Sequence, residues 1–339
     1  MKYAIWNNKG GVGKTFLSFI LSTEYAQRNP NKFVIVVDMC PQANLSEIIL
    51  GGNGDGSARL NTLIKSGPKR STIGGYIDQR ISQPHGLLGY EADFMVKASD
   101  YNKNMPPNLY LIAGDPSLEL QAQVISQISS QTLPTDSWKN VHSWLRDIIL
   151  SCSKKLGDDK CQVFIDCNPS FSSYTELSMI AADRLIVPCS SDGSSARAID
   201  NIGSLVYGIG LPPNVQSVSF SSKVRAYGLS LPVIQTILLN RSTQYRKEAS
   251  KAFGAMFDAI KERTDALKKT SPGTFVSGKF EFEEVPDNHS VSIVCSHLGK
   301  PLYQITSGKY EVYDTTPQIN QEPLERYKKA VNALMLNIV

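Results

Sequence analysis

Apolar runs and amphipathic stretches alternate along the N-terminal part of the chain in the pattern of an α/β protein. Residues 3–6 form a short apolar run ahead of a glycine-rich turn, and residues 15–28 carry apolar side chains at helical spacing. Residues 33–37 are a continuous aromatic and β-branched run, which is typical of a strand buried on both faces. This order of strand, turn, helix and buried strand predicts a βαβ unit with a right-handed crossover.

Later apolar runs repeat the buried-strand pattern, and helical stretches separate several of them. These runs span residues 109–113, 163–165, 185–187 and 233–239. We therefore predict an α/β fold with a doubly wound, mostly parallel sheet and helices on both faces.

Two segments interrupt this pattern within what we interpret as a single domain, residues 1–339. Residues 51–107 open on clustered glycines and show weak periodicity, which indicates an inserted subdomain or a mobile flap. Residues 206–230 are rich in glycine, proline and serine and form a second candidate insertion. Apolar residues at helical spacing over 323–339 predict a C-terminal amphipathic helix.

Composition excludes several protein classes. Of the 339 residues, 41% are hydrophobic and 19% are charged, which is ordinary for a globular protein and excludes a disordered chain or a collagen-like or coiled-coil rod. No apolar run approaches the roughly 20 residues of a membrane-spanning helix, and the N-terminus does not resemble a signal peptide. The six cysteines form no CxxC pair, which favours free thiols in the cytoplasm over disulfides or a zinc site.

The basic residues are concentrated in one segment. The whole chain has a net charge of +4, but residues 222–270 contain ten Lys or Arg and four Asp or Glu, a local net charge of +6. Such a segment is compatible with a surface that faces phosphate groups, and equally with a solvated helix face.

A phosphate-binding motif lies between the first predicted strand and helix. The sequence KGGVGKT at residues 9–15 fits the end of the P-loop pattern GxxxxGK[ST], although Asn8 stands where the first glycine belongs. Glycines let backbone N–H groups turn towards an anion, and the helix N-terminus adds its positive dipole end. Lys14 would reach the β- and γ-phosphates, and the Thr15 hydroxyl would join Mg²⁺. The candidate cofactor-binding residues here are Gly10, Gly11, Val12, Gly13, Lys14, Thr15 and Phe16.

With Lys9 at its start, this motif resembles the deviant Walker A motif of the ParA/MinD superfamily of ATPases. The resemblance implies a P-loop NTPase fold, ATP and Mg²⁺ as cofactors, and ATP hydrolysis. It also implies an ATP-bound homodimer in which Lys9 reaches the nucleotide of the partner chain. An ordinary surface lysine is the alternative interpretation of Lys9.

Further motifs extend the resemblance over most of the chain. VVDMCPQAN at residues 36–44 is similar to the family's switch I segment, D-x-D-P-Q-x-N, and VFIDCNPS at 163–170 is similar to its Walker B strand. The resemblance implies that Thr15, Asp38 and Asp166 hold the metal. Residues 238–241 and 285–287 resemble the adenine side of the family's site, which implies nucleotide contacts by Asn240, Arg241, Pro286 and Asp287.

One departure from the family pattern bears directly on hydrolysis. The second Asp of switch I, which is thought to position the attacking water in relatives, is Cys40 in this chain. A neutral thiol is a weak hydrogen-bond acceptor, so we expect slow hydrolysis or the use of another group. The expected catalytic residues are Lys9, Lys14, Asp38 and Cys40.

The resemblance implies a function in positioning, closest to ParA/Soj-type partition ATPases. We expect a nucleoid-associated ATPase that binds nonspecific double-stranded DNA and moves a plasmid, chromosome or other cargo with a ParB-like or adaptor protein. Its candidate DNA-binding residues are Arg225, Arg241, Arg246, Lys247, Lys251, Lys268 and Lys269. No helix-turn-helix region is expected before the P-loop.

Other functions stay open at this point. They are a MinD-like ATPase that uses the C-terminal helix on a membrane, a scaffold that holds ATP with little hydrolysis, and an ATPase coupled to electron transfer through dimer-bridging cysteines. The last requires cysteines placed symmetrically at a dimer face, and none has that setting in the sequence.

Overall fold

The structure is a computed structural model that describes residues 1–65, 70–157, 161–190, 195–242, 247–277 and 282–338. For residues 241–242 and 247–253 only the backbone is described.

The central element is an eight-stranded sheet with the strand order β3-β4-β2-β5-β1-β6-β7-β8. All neighbouring strands are parallel except β3, which is antiparallel to β4 at one edge. The strands are β1 (Lys2–Ile5), β2 (Val34–Met39), β3 (Val96–Lys97), β4 (Leu109–Ile112), β5 (Gln162–Cys167), β6 (Arg184–Cys189), β7 (Val233–Ser242) and β8 (Phe282–Pro286), with a separate hairpin of β9 (Gly308–Lys309) and β10 (Gln318–Ile319). This confirms the predicted doubly wound, mostly parallel sheet.

Helices cover both faces of the sheet, also as predicted. The α-helices are α1 (Lys14–Arg28), α2 (Asn44–Leu50), α3 (Gly52–Lys65), α4 (Ile73–Ser82), α5 (Ala98–Tyr101), α6 (Leu118–Ser129), α7 (Ser137–His142), α8 (Trp144–Lys155), α9 (Ser173–Ala181), α10 (Ser195–Leu205), α11 (Pro213–Gln216), α12 (Phe220–Ala226), α13 (Lys247–Thr270), α14 (His289–Leu298) and α15 (Gln321–Leu336). Short 3₁₀ helices span Glu91–Phe94, Pro272–Thr274 and Leu302–Gln304. One hydrophobic core lies under α1, α2, α3, α14 and α15, and the other under α4, α6 to α10 and α12.

The strand order brings three strand ends together. From β1 the chain moves outward to β2 and β4, returns to β5 between β2 and β1, and then continues to β6, β7 and β8 on the other side. The carboxyl ends of β1, β2 and β5 therefore meet where the direction of winding reverses, which is where open α/β sheets bind ligands. β2 and β5 are buried along their whole length, in agreement with their apolar sequences.

Residues 51–107 are more regular than their sequence pattern indicates. Their described part forms α3, α4, β3 and α5, and apolar side chains from these elements lie in both cores. Gly56 permits close helix contact, since a Cβ atom on this residue of α3 would lie 2.0 Å from the carbonyl oxygen of Glu47 in α2.

The other irregular segments also pack on the sheet. The segment 206–230 contains α11 and α12, and Phe220 and Val224 of α12 are buried. Helix α15 buries the apolar face that the sequence predicts, with Leu324, Val331 and Leu334 in the core. Within the described part of the chain, no helix combines the length and the apolarity needed to cross a bilayer.

The α2–α3 contact generates a stability prediction. Gly56→Ala should lower the free energy of unfolding by about 1–3 kcal/mol, because the added methyl group must displace backbone of α2. Gly54→Ala is the matched control in the same helix, because no atom lies within 4 Å of its Cβ position; it should be neutral or stabilising by up to about 1 kcal/mol. Urea unfolding followed by circular dichroism measures both, and equal stability of the two variants would contradict the close contact.

Candidate nucleotide-binding site

The loop between β1 and α1 has the backbone of an anion cradle. Gly11 and Gly13 have φ angles of +75° and +82°, in the left-handed region that glycine adopts without strain. No protein atom lies within 4 Å of the Cβ position at Gly10 or Gly11, so the space above the loop is open. With Gly13 directly before the first residue of α1, the loop delivers its N–H groups to the helix N-terminus, a favourable place for phosphate.

Lys14 folds back over this loop. Its Nζ donates hydrogen bonds to the carbonyl oxygens of Asn7 at 3.0 Å and Lys9 at 2.7 Å, and the side chain is buried. Burial lowers the pKa of Lys14, and the nearby Asp166 carboxylate partly offsets this shift. The positive charge of the buried ammonium group is therefore only partly neutralised by the protein. A phosphate in the cradle would be a strong partner for it.

Asn7 holds the loop in place, a role that the sequence analysis missed. Its Nδ2 donates to the carbonyl oxygen of Pro188 on β6 at 2.8 Å, and its Oδ1 accepts the N–H of Lys9 at 3.0 Å. The side chain is fully buried. The only signal in the sequence is an asparagine between an apolar run and the glycine motif, which does not reveal a contact across 181 residues.

Two buried carboxylates lie beside the loop on neighbouring strands. Asp38 on β2 and Asp166 on β5 are register partners, and both are fully or almost fully buried. Asp38 Oδ2 accepts hydrogen bonds from Ser46 N–H at 2.9 Å and Ser46 Oγ at 2.8 Å, and Oδ1 accepts from Cys40 N–H at 3.1 Å. Burial raises the pKa of both carboxyl groups, and the nearby Asp38 raises that of Asp166 further.

The groups around Asp166 fit a divalent cation. Asp166 Oδ1 accepts a hydrogen bond from Ser18 Oγ at 3.0 Å. Asp166 Oδ2 is buried without a hydrogen-bond partner in the structure, as expected of an oxygen that faces a metal or its water. Mg²⁺ is usually held by one or two carboxylates together with a hydroxyl and phosphates, which matches Asp38, Asp166 and Thr15. No cluster of three His, Cys, Asp or Glu suited to a metal occurs among the described residues, so a protein-only metal cage is not found there.

A cavity of about 500 Å³, within the size range of small-ligand pockets, opens beside the phosphate loop and the N-terminus of α1. It brings together several predicted site residues, namely Gly11, Gly13, Lys14, Thr15, Phe16 and Cys40. It is also lined by residues that we did not select as site residues, namely Gln42, Asn44, Ile48, Asn53, Cys167, Pro169 and Ser296. Asn53 belongs to α3, so the 51–107 segment contributes to the wall of the cavity.

Cys40 is unsuited to act as a base. Burial, with the adjacent Asp38, raises the pKa of its thiol to about 12, so the side chain is a neutral thiol at physiological pH. It lines the cavity at the switch I position. The other five cysteines are buried.

Lys9 contacts its own chain in this structure. Its Nζ donates to Ser190 Oγ at 2.9 Å, just after β6, and the side chain is half-buried. The expected reach of Lys9 into a partner chain stays a prediction.

The predicted adenine-side residues lie at the ends of β7 and β8. The Asn240 Nδ2 donates to the carbonyl oxygen of Val12 at 2.8 Å, so this amide braces the phosphate loop. Pro286 is the last residue of β8 and the exposed Asp287 follows it, while the side chain of Arg241 lies outside the described residues. Their role in nucleotide binding stays a prediction.

The predicted DNA-binding residues are only partly described. Arg225 on α12 and Lys269 on α13 are exposed, and Lys268 is half-buried. Arg246 lies outside the described residues, and so do the side chains of Lys247 and Lys251.

Comparison with known proteins identifies the family. A family model described as an AAA domain, of ParA/MinD type, matches residues 1–210. The chain belongs to the ParA/MinD-type ATPases. Membership in this family agrees with the glycine cradle, the buried lysine and the two carboxylates of the site.

Solved structures share this fold at low sequence identity. A complex of ATP with a variant of Cyanothece McdA, in which one aspartate is replaced by alanine, has a TM-score of 0.56 and 16% identity, over 98% of this chain and 96% of that chain. A plasmid partition protein from Borrelia burgdorferi B31 bound to AMPPNP has a TM-score of 0.54 and 15% identity, over 99% and 98% of the two chains. No curated protein matches the sequence significantly.

Proposed function

We propose that this protein is a dimerising switch ATPase that positions or partitions a cargo on DNA together with a partner protein. The observation that carries this proposal is the presence of Lys9 at the start of a phosphate cradle that already holds Lys14 and faces the carboxylate pair. Two proteins of the same fold, a variant of Cyanothece McdA and the Borrelia partition protein, have structures in complex with ATP and AMPPNP respectively. This supports a nucleotide-dependent partition or positioning function.

The site supplies most of what phosphoryl transfer requires. The loop N–H groups and Lys14 would hold the β- and γ-phosphates, and Lys14 would exchange its two carbonyl acceptors for phosphate oxygens. Thr15, Asp38 and Asp166 would hold Mg²⁺, which neutralises charge on the phosphates. Lys9 of a second chain would add another positive charge to the transferred group.

The positioning of the attacking water is the requirement that this site meets least well. Cys40 stands at the switch I position, and its neutral thiol accepts a hydrogen bond poorly. We infer that basal turnover is very slow and that ATP persists in the dimer. Slow turnover suits a switch whose release depends on a partner.

DNA is the binding surface that we favour over a membrane. The apolar face of α15 is packed in the core, with Leu324, Val331 and Leu334 buried, so it is not presented to lipid. The basic segment 222–270 instead offers exposed cations such as Arg225 and Lys269. Electron transfer through bridging cysteines receives no support from the buried positions of Cys152, Cys161 and Cys189.

The first prediction from this proposal concerns dimerisation. Light scattering of the wild-type protein with Mg·ATP should show a dimer, whereas Lys9→Ala should stay monomeric because the partner's nucleotide loses its second lysine. Lys139→Ala, at an exposed lysine on α7, is the control and should dimerise. Normal dimerisation of Lys9→Ala would show that Lys9 does not act on the partner chain.

The second prediction concerns DNA. Binding to duplexes of unrelated sequence should require ATP and weaken steeply with salt, because Lys and Arg contacts to phosphate release counterions. The double variant Arg225→Glu/Lys269→Glu should weaken binding to all sequences alike. The double variant Lys103→Glu/Lys309→Glu, at two exposed lysines outside the basic segment, makes the same change in net charge and is the control. Equal losses in both proteins, or ATP-dependent binding to liposomes instead of DNA, would count against the proposed surface.

The third prediction concerns hydrolysis. Cys40→Asp should raise kcat by about 100-fold or more, because it restores a carboxylate that positions the water. ATP affinity should change little, since the group acts in the transition state. Cys40→Asn matches the shape of aspartate without its charge and should stay at the wild-type rate.

A steady-state phosphate-release assay compares the three proteins. Wild-type turnover equal to that of Cys40→Asp would assign water positioning to another residue, and no turnover in either would favour an ATP-locked scaffold.

A further inference from the structure

A single buried hydroxyl connects the candidate metal site to the end of a neighbouring strand. Ser46, in the first turn of α2, is fully buried. Its Oγ donates to Asp38 Oδ2 at 2.8 Å and accepts the N–H of Gly114, just after β4, at 2.8 Å. A hydroxyl has one proton to donate, so donation to Asp38 fixes its orientation and turns a lone pair towards Gly114.

Ser46 also restrains the rotation of the Asp38 carboxylate. Oδ2 accepts both the Oγ–H and the N–H of Ser46, and Oδ1 accepts the N–H of Cys40. Rotation of the carboxylate plane would break all three hydrogen bonds. The direction in which Asp38 presents its remaining lone pairs is therefore set largely by the position of Ser46.

The strand end on which Ser46 is anchored is itself rigid. The buried Asp115 accepts hydrogen bonds from Arg70 Nη1 at 2.9 and 2.8 Å, from Thr72 Oγ1 at 2.6 Å and from Ser117 N–H at 2.9 Å. Gly114 lies so close to the site that an added Cβ would be 3.0 Å from Asp38 Cγ. This network ties the anchor to the residues that lead into α4.

We propose that Ser46 is a positioning residue for Mg²⁺: its hydroxyl orients the Asp38 carboxylate against the fixed end of β4. The inference rests on the proposed function, because it assigns Ser46 a role in the Mg·ATP site. Ser46 does not contact the metal, and its effect passes through Asp38. Residues that orient metal ligands in this way typically change metal affinity by about 10- to 100-fold when they are removed.

The test compares Ser46→Ala with Ser22→Ala. Ser22 is also fully buried, in α1 of the same core, but its Oγ donates to Phe19 O within its own helix. Binding of a fluorescent ATP analogue is titrated against Mg²⁺ for each protein. Ser46→Ala should raise the Mg²⁺ concentration for half-maximal binding by about 10-fold or more. Affinity for the nucleotide should return to the wild-type value at saturating Mg²⁺, and Ser22→Ala should match the wild type throughout.

A second measurement follows the anchor itself. Loss of the Ser46 hydroxyl removes the acceptor of the Gly114 N–H, so hydrogen exchange at this amide should accelerate in Ser46→Ala and stay unchanged in Ser22→Ala. If Ser46→Ala does not fold, Ser46→Cys takes its place, because a thiol has similar size and is a much weaker hydrogen-bonding group.

The outcomes separate this inference from the proposed function. A Mg²⁺ half-saturation within twofold of the wild type would overturn the role of Ser46. A loss of nucleotide affinity that persists at saturating Mg²⁺ would overturn it as well, since that is the effect of general structural damage. Absence of Mg²⁺-dependent nucleotide binding in the wild-type protein would instead reject the proposed function, and this inference with it.

Discussion

The structure depends most on the burial of two carboxylates at neighbouring positions of the sheet. Asp38 and Asp166 are register partners on β2 and β5, where burial disfavours the ionised form of both. Hydrogen bonds from Ser46, Cys40 and Ser18 offset part of this penalty. One oxygen of Asp166 still has no partner, so a divalent cation would complete the site electrostatically.

The burial of these two carboxylates also explains what a cysteine at position 40 does to the charge of the site. An aspartate at this position would bring a third carboxylate close to Asp38, whereas a thiol with a pKa of about 12 adds no charge. Cysteine at this position therefore avoids repulsion between carboxylates at the candidate metal site. It is also a weaker hydrogen-bond acceptor for the attacking water than aspartate would be. Under the proposed function, this exchange would favour retention of ATP over its hydrolysis.

Much of the fold could be predicted from the sequence because its determinants are local. The continuous aromatic and β-branched run at 33–37 identified β2, the apolar run at 233–239 identified β7, and the glycines of the phosphate loop identified the turn into α1. Helix α3 was missed because its glycines indicated a turn, whereas Gly52 and Gly56 lie within the helix at close contacts with backbone of α14 and α2.

The residues of the site divide in the same way: short motifs identify some of them, and the roles of others depend on distant contacts. Lys14, Thr15, Asp38 and Asp166 stand in short motifs, and the structure brings them together. Asn7, Ser18 and Ser46 were missed because their roles arise from contacts with residues that are distant in the sequence or from the packing of a helix against a strand end. Asn240 was selected for adenine, a role that stays a prediction, and the hydrogen bond from its amide to the carbonyl oxygen of Val12 was not predicted. Such contacts have no signature in a single sequence.

The most direct test of the account is a crystal structure of the protein grown with Mg²⁺ and a non-hydrolysable ATP analogue. The account predicts a two-fold dimer with the triphosphate in the loop and Mg²⁺ beside Thr15, Asp38 and Asp166. Lys14 should have left the carbonyl oxygens of Asn7 and Lys9 for the phosphates, and Lys9 should reach the partner's nucleotide. A monomer in which Lys14 keeps both carbonyl contacts, with the analogue absent or bound elsewhere, would contradict it.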